Sequence, residues 1–332
     1  MGASKTVGVR AISLFSGCGG SDLALVDRGY DVVWANDVWE PACQTYESNL
    51  GSGKIECGDV AKYDKFSMAE LLVGCYPCQG YTQGGKRDWG APVNFLYRQF
   101  DRALRSVKPI AFIVENVNGM AYGESRGLLD NQLRRYRSAG YRVKWAVLNA
   151  RDYGVPQNRR RVFLVGVKSG LDFVYNFPDP TYGKSNSLLP FVTQKAVLGG
   201  FPQWPAGEFN DEPFHWYYLS RRRRHDWDEP SPCIVGHWRH VPLHPMSPPL
   251  KRIHTDKWEF MYEGRARRLA YRECAAIQGF PDTFIWDHGT VRDKFQMIGN
   301  AVPPPLFAAV LSGLDNLWIR PTRDSSHSLA AR

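Results

Sequence analysis

The sequence predicts an α/β fold, in which a parallel β-sheet carries helices on both faces and a smaller, irregular domain follows. Short apolar segments that resemble strands alternate with segments of helical character, and this alternation is typical of a sheet covered on both faces. The strand-like segments include residues 32–34, 71–73 and 110–114, and the helical ones residues 95–107 and 127–139. After residues 177–180 the alternation stops, and Pro, Trp, Arg and His rise together to about residue 257 without a helical period. We expect the smaller domain there.

The first predicted strand leads into a glycine-rich turn. Residues 9–15 are mostly apolar and precede Gly17, Gly19 and Gly20. Such a turn between a first strand and a first helix lets a ligand approach the backbone, and the helix N-terminus adds free N–H groups. The glycine spacing does not fit the G-x-G-x-x-G dinucleotide fingerprint, which argues against a nicotinamide cofactor.

Acidic residues end the next two predicted strands. Asp37 ends the segment at residues 30–37, about 20 residues after the glycine turn, where an acid can bind both hydroxyls of a ribose. Asp59 follows the segment that starts at residue 54 and could accept from an adenine amino group. Each acid alone could equally be a cap or turn residue. Together with the turn they predict a nucleoside pocket without a phosphate cradle, which suits S-adenosylmethionine better than NAD.

A cysteine motif, Tyr-Pro-Cys-Gln-Gly at residues 76–80, follows the apolar run at residues 71–74. The rigid proline presents Cys78 at a strand end, and Glu115 ends another strand. This pair supplies a nucleophile and a proton-handling partner for attack on an electron-poor ring. Cys75 and Cys78 also form a C-x-x-C, so a redox pair, half a zinc site or two inert cysteines stay open. The remaining cysteines are scattered singly, and the eight histidines show no ligand spacing.

Further regular structure is expected downstream. Residues 141–148 and 162–167 read as two more strands, joined by a loop. Regular structure returns at residues 272–279 and 305–317.

The composition limits the classes of protein to consider. The chain of 332 residues has 42 Lys and Arg against 33 Asp and Glu, and this net charge of +9 favours a polyanionic partner. It has no run of about 18 apolar residues and no apolar region near its N-terminus, so we expect neither a membrane-spanning nor a secreted protein. Seven cysteines without framework spacing predict a reducing compartment, the cytoplasm.

Eight segments resemble, in order, the motifs of the cytosine-C5 DNA methyltransferase family. They are residues 15–20, 36–37, 58–60, 77–80, 115–117, 157–163, 272–281 and 299–304. The usual Gly-Gly-Pro-Pro-Cys reads Gly-Cys-Tyr-Pro-Cys at residues 74–78, and Asp37 stands where Glu is common. The resemblance implies a Rossmann-like, S-adenosylmethionine-dependent methyltransferase sheet, with the strands at residues 141–148 and 162–167 as an antiparallel pair at one edge. It implies a catalytic domain of residues 1–178 to which residues 268–319 return, a target-recognition domain of residues 179–267, and a disordered tail at 320–332.

The resemblance also implies a role for each site residue. Cys78 would add to C6 of a cytosine flipped out of duplex DNA, which activates C5 for methylation. Glu115 would hold N3 and the exocyclic amine, and Arg161 would bind the base O2. Arg159 would position the nucleotide and keep Cys78 ionised. The methyl donor would lie across Phe15, Gly17, Gly19, Asp37, Asp59, Pro77 and Asn300, and no metal is expected.

Two segments are expected to contact DNA. Residues 82–94 would form a lid, with Lys86 and Arg87 on phosphates. Residues 220–230 and 236–245 are similar to the recognition region of the GGCC-modifying branch of the family. Arg221, Arg223 and Arg239 fall at the positions of its guanine-reading arginines, and the planar fork of arginine fits guanine O6 and N7. Intervening positions differ from that branch, so phosphate anchoring or a solvated face stays open for each.

The predicted function is therefore methylation of cytosine C5 in a short duplex DNA site, GGCC-like by hypothesis, by a monomeric restriction–modification methylase. A cognate endonuclease would make no direct contact with it. Cytosine methylation in tRNA and a catalytically silent, sequence-specific DNA binder stay open as alternatives.

Overall fold

The computed structural model describes residues 8–77 and 95–319, where seven strands form one sheet and two more form a hairpin. The sheet contains β1 (Arg10–Leu14), β2 (Asp31–Asp37), β3 (Ile55–Cys57), β4 (Leu71–Gly74), β5 (Ala111–Val117), β6 (Tyr141–Asn149) and β7 (Arg160–Lys168), and the hairpin β8 (Leu250–His254) and β9 (Lys257–Phe260). The spatial order is β3-β2-β1-β4-β5-β7-β6. Strands β1 to β5 pair in parallel, and β7 is antiparallel to both β5 and β6. The predicted parallel sheet and its antiparallel edge pair are confirmed.

The helices of the described residues follow the predicted alternation. They are α1 (Gly20–Asp27), α2 (Glu40–Leu50), α3 (Tyr97–Val107), α4 (Arg126–Ser138), α5 (Gln194–Leu198), α6 (Tyr271–Gln278), α7 (Val291–Asn300), α8 (Pro304–Ser312) and α9 (Asp315–Ile319). The predictions for α3, α4 and α6 are confirmed to within two residues. The segment predicted at residues 305–317 is divided into α8 and α9 by a turn at residues 313–314.

The sheet is buried on both faces because its side chains alternate between two cores. Leu71 and Val73 on β4 belong to a core that includes residues of α1, α2 and α8. Leu72 belongs to a second core, which includes Phe100 and Leu104 of α3. A period of two is the geometry of a strand, so one apolar run supplies both faces. The helices on both faces confirm the predicted fold class.

A third core joins the segment after residue 179 to the C-terminal helices. Ile234 and Val241 pack there with side chains of α6 and α7, including Ile277 and Ile298. No helical period is expected up to about residue 257, and the structure forms only short helical elements there, the five-residue helix α5 and a 3-10 helix at Tyr218–Ser220 among the described residues. Part of the remainder forms the β8–β9 hairpin.

Several predicted residues lie outside the described ranges. They are Cys78, Lys86, Arg87, the expected lid at residues 82–94 and the expected tail at residues 320–332. Within the described ranges, no helix is both long enough and apolar enough to cross a membrane.

Candidate active site at the carboxyl edge of the sheet

The topology brings most of the predicted site residues to one edge of the sheet. Strands β1, β2, β4 and β5 are parallel, so residues near their carboxyl ends share one edge of the sheet. These residues are Phe15, Asp37, Pro77 and Glu115, the last of which lies two residues before the end of β5. Strand β7 runs in the opposite direction and therefore begins there, with Arg161 paired in register to Val117. Ligands of open α/β sheets bind at this edge.

The glycine turn after β1 has a left-handed backbone at three positions and free space beside one of its glycines. Phe15, Gly17 and Gly19 have φ values of 59°, 55° and 95°. Positive φ is uncommon for a residue with a side chain, such as Phe15. A Cβ built on Gly17 meets no atom within 4 Å, whereas one on Gly19 would lie 2.5 Å from Leu50 Cδ1. Gly19 is thus favoured by its left-handed backbone as well as by close packing on Leu50 of α2, and Gly17 leaves room for a ligand.

Asp37 is tied to this turn. Its Oδ2 accepts from the Gly17 N–H at 2.8 Å, and its Oδ1 accepts from the Trp39 N–H at 3.0 Å. Burial raises the pKa of Asp37, although the backbone donors oppose the shift. Val38, the next residue, is 71% exposed. Each carboxylate oxygen has further lone pairs, so the group can still accept from a ligand hydroxyl.

Asp59 and Asn300 are two more of the predicted cofactor-binding residues. Asp59 is exposed, and its Oδ1 accepts from the Ala61 N–H at 2.9 Å, which is the cap role left open by the sequence. Asn300 ends α7, and the chain directly after it packs on the glycine turn. A Cβ built on Gly20 would lie 2.5 Å from the Val302 carbonyl oxygen, so the two motifs approach without room for a side chain.

The backbone that leads to Cys78 is anchored from two sides. The Tyr76 hydroxyl donates to Gln132 Oε1 at 2.5 Å and lies 3.1 Å from the Tyr136 hydroxyl oxygen on α4. The Tyr76 carbonyl accepts from Asn116 Nδ2 at 3.0 Å. The tyrosine that departs from the family pattern therefore holds the loop through α4. Sequence reasoning gave Asn116 no role of its own, although a polar residue in an apolar strand is a signal for one.

Glu115 is the buried carboxyl of the site, with 6% of its surface exposed. Arg161 Nε lies 3.0 Å from Glu115 Oε1, but the geometry is that of an ion pair, and Oε1 receives no well-directed hydrogen bond from the described residues. Burial raises the pKa of Glu115, and the charges of Arg161 and Arg159 oppose that shift only in part. A carboxyl with a raised pKa can hold and release a proton at neutral pH.

Arg159 is almost completely buried and joins three parts of the chain. Its guanidinium donates to the carbonyl oxygens of Ile234, Gly299 and Ala301 at 2.9–3.0 Å. Burial lowers the pKa of Arg159 to about 10. The positive charge of Arg159 favours the ionised form of Glu115. The hydrogen bonds of Arg159, however, connect the start of β7 to the segment at residue 234 and to the end of α7.

The three predicted base-reading arginines differ in their surroundings. Arg221 is exposed. Arg223 is half-buried, donates to the carbonyls of Tyr218 and His240 at 2.9 Å, and lies over the Tyr218 ring. Arg239 is exposed and forms a two-point ion pair with Glu212, at 2.7 Å from Nε and 3.0 Å from Nη2. Arg221 and Arg239 are therefore exposed, although Glu212 engages the guanidinium of Arg239, whereas Arg223 is held by backbone carbonyls.

Cys75 differs from a reactive thiol. Burial raises its pKa well above the ordinary value, and nearby carboxylates add to the shift. It is therefore protonated at neutral pH, which disfavours the redox-pair hypothesis for the C-x-x-C. Among the described residues, no group of three or more His, Cys, Asp or Glu could hold a metal ion.

Comparisons with known proteins agree with this geometry. A family model described as C-5 cytosine-specific DNA methylase matches residues 9–316. The chain is 35% identical to Type II methyltransferase M.BsuRI of Bacillus subtilis, over 94% of this chain and 80% of that protein. It is also 35% identical to Type II methyltransferase M.MthTI of Methanothermobacter thermautotrophicus, over 89% of this chain and 93% of that protein. The S. pombe Dnmt2 methyltransferase structure, 19% identical, superimposes with a TM-score of 0.69 over 93% of this chain and 99% of its own, which bears on the fold alone.

Proposed function

Because the chain belongs to the C-5 cytosine-specific DNA methylase family, we propose that it methylates C5 of a cytosine flipped from a short duplex site, through a covalent bond between Cys78 and C6. The observation that carries the proposal is the buried Glu115 carboxyl, with its raised pKa, beside the backbone that leads to Cys78. The proposal includes a division into a catalytic domain (residues 1–178 and 268–319) and a recognition domain (residues 179–267). It also includes that the enzyme is a monomer in the cytoplasm and that a cognate endonuclease acts separately.

The glycine turn and Asp37 fit S-adenosylmethionine. Open space at Gly17 admits a ligand to the backbone, and the Asp37 carboxylate can accept from ribose hydroxyls. The exposed Val38 side chain offers an apolar surface to an adenine ring. When bound, the cofactor supplies a methyl group from its sulfonium. Phe15, Gly19, Asp59, Pro77 and Asn300 complete the proposed pocket.

The proposed chemistry starts with the addition of the Cys78 thiolate to C6. The C5–C6 π electrons move to C5, and Glu115 holds a proton at N3 as the ring becomes electron-rich. Arg161 donates to O2. After methyl transfer a base removes the proton from C5, the C6–S bond breaks, and the double bond re-forms. Arg159 would support this step by holding together the segments around the site, and its positive charge would favour the thiolate form of Cys78.

Methyl transfer from labelled donor to duplex DNA tests the function. The parent should methylate DNA, Cys78→Ala should not, and a duplex with 5-fluorocytosine at the target should trap the parent through Cys78. Transfer to tRNA instead would support the RNA alternative, and sequence-specific DNA binding with no transfer by the parent would support the silent binder. A covalent conjugate at another cysteine would overturn the assignment of Cys78.

The recognition proposal makes two classes of arginine variant separable. We propose that Arg221, Arg223 and Arg239 read guanines of a GGCC-like site, whereas Lys86 and Arg87 contact phosphates. Arg239→Ala should cost about 1–3 kcal/mol on the preferred site and relax preference at one base position. Arg87→Ala should weaken binding to all sequences alike and flatten the salt dependence. Methylation of a randomised duplex library by both variants measures the difference.

For Arg223 the same experiment distinguishes base reading from a structural role. Its carbonyl partners must be released before its guanidinium can reach a base. Uniform loss of activity in Arg223→Ala, with an unchanged sequence profile, would show that it braces the recognition surface instead of reading it. A preferred site without adjacent guanines 5′ of the methylated cytosine would overturn the GGCC-like hypothesis.

A further inference from the structure

A cavity of about 340 Å³ lies beside the candidate active site, with Arg161 in its wall. Its walls are Asn118, Asn149, Arg151, Asn158, Arg160, Arg161 and Cys233. Arg161 belongs to both sites, because its guanidinium also pairs with Glu115. The size lies in the range of about 300–1,000 Å³ that is usual for ligand sites. Apart from Arg161, these residues have no part in the chemistry proposed above.

The lining of this cavity suits an anion. It contains three guanidinium groups and three side-chain amides, and no carboxylate. Two of the guanidinium groups have carboxylate neighbours, since Arg161 pairs with Glu115 and Arg151 Nε lies 3.4 Å from Asp152 Oδ1. Arg160 is exposed and has no carboxylate partner among the described residues. The charge of Arg160 is therefore available to a ligand.

Two buried polar atoms in the wall of this cavity have no hydrogen-bond partner among the described residues. Asn149 is 9% exposed, and its buried Oδ1 has no hydrogen-bond partner in the described part of the chain. The buried Nε of Arg151 also lacks one. Buried polar groups are normally satisfied, so two such groups in one cavity wall are suited to hold a polar ligand. An amide can turn either its oxygen or its nitrogen towards that ligand.

The proposed reaction supplies a ligand of this chemistry. A flipped nucleotide rotates about its backbone, so the phosphates on either side of it follow the base to the mouth of its pocket. Arginine pairs with the two free oxygens of a phosphate in a fork. Resting on the proposed function, we propose that this cavity binds a backbone phosphodiester adjacent to the flipped cytosine, with Arg160 as its main cation and Arg151 as the second.

A charge-neutral phosphate tests this contact directly. Duplexes would carry a single methylphosphonate at the phosphate 5′ or 3′ of the target cytosine. Their affinity for the full chain, with S-adenosylhomocysteine present, would be measured for the parent and for Arg160→Gln. The substitution should weaken binding of the unmodified duplex roughly 10-fold or more, as expected for a charged hydrogen bond. It should also lower the slope of log affinity against log salt by about 0.9.

The decisive measurement is whether the effect of Arg160→Gln on affinity depends on which phosphate of the duplex is neutral. If the cavity holds one of the two phosphates, Arg160→Gln should have no further effect on the duplex in which that phosphate is neutral. Arg137→Gln is the matched control, because Arg137 is exposed near the end of α4, next to the start of β6 and thus at the opposite edge of the sheet.

Two outcomes would overturn the inference while leaving the function in place. One is an equal loss for Arg160→Gln on all three duplexes, and the other is an effect no larger than that of Arg137→Gln. Parent methylation of the unmodified duplex reports the function separately. A parent that methylates no DNA would overturn both proposals.

Discussion

At the scale of single residues, the chemistry depends on a carboxyl held between opposing influences. Burial favours the neutral form of Glu115, and Arg161 and Arg159 favour the charged form. Burial has the larger effect, so the pKa stays above the ordinary value of 4.5. The two forms therefore differ less in free energy at neutral pH than they would in water, which suits a group that shares a proton with N3.

Glu115→Gln should lower the single-turnover rate of methylation with little change in DNA affinity. A neutral amide can still form hydrogen bonds to the base, but it cannot transfer a proton reversibly. General acid–base groups contribute about 10²–10⁴ in rate, and the loss should lie in that range. Rapid-quench measurement of methyl transfer and a binding titration separate the two effects. Full activity in the variant would mean that the proton is handled elsewhere.

At the scale of elements, the site depends on backbones that approach each other without side chains between them. Gly299 lies in α7 against the segment at residues 235–236. A Cβ at position 299 would lie 2.2 Å from the Gly236 nitrogen and 2.2 Å from the Val235 carbonyl carbon. Backbone atoms cannot move aside as the end of a side chain can. The glycine of the motif at residues 299–304 is therefore explained by packing of the predicted recognition segment on α7.

Gly299→Ala should destabilise the protein by about 1–3 kcal/mol, the usual cost of overpacking, or more if the segments separate. Gly127→Ala is the matched control, because Gly127 is also helical and a Cβ there meets nothing within 4 Å. The control should be neutral or stabilising by up to about 1 kcal/mol, since alanine favours helix. Urea denaturation of both variants gives the comparison. Equal stability of the two variants would contradict the packing argument.

At the scale of the whole molecule, a buried charged network joins the segment near residue 244 to α6. Arg267 donates to both carboxylate oxygens of Glu273 at 2.7 Å. His244 lies beside this pair. Its Nδ1 accepts a hydrogen bond from the Met246 N–H, and its Nε2 lies 3.6 Å from Glu273 Oε1. Burial, and then the charge of Arg267, lower the pKa of His244 to about 3. Glu273 does not reverse the shift, because its charge is already paired with Arg267.

The protein should lose stability in acid through His244. The unfolded state takes up a proton near the ordinary pKa of 6.5, while the folded state stays neutral down to about 3. Stability is therefore retained above pH 6.5 and falls as the pH decreases towards 3, by up to about 1.4 kcal/mol per unit. His244→Asn should flatten this slope, and His254→Gln on the exposed strand β8 should leave it unchanged. Urea unfolding between pH 4.5 and 7.5 checks both, and an unchanged slope in His244→Asn would contradict the argument.

Local patterns in the sequence predicted the strands and helices of a parallel sheet covered on both faces, and the family resemblance added its antiparallel edge. Residues 71–73 and 111–114 are apolar at every position, and the glycine turn after β1 has a fixed backbone requirement. Such signals depend on periodicity and turn chemistry within a few residues, so they can be read before folding. The same is true of the positions of Asp37 and Glu115, since parallel strands place their carboxyl ends at one edge.

Contacts between distant segments were decided only by the tertiary structure. Arg159 reads in sequence as a ligand-binding arginine, yet its donors bind carbonyls at residues 234, 299 and 301. Asn116 holds the Tyr76 carbonyl, and Arg223 is held by Tyr218 and His240. The arginine-lined cavity, too, is formed by β6, β7 and the segment at residue 233. A polar side chain shows which bonds it can form, but its partner depends on which backbone packing brings within about 3 Å.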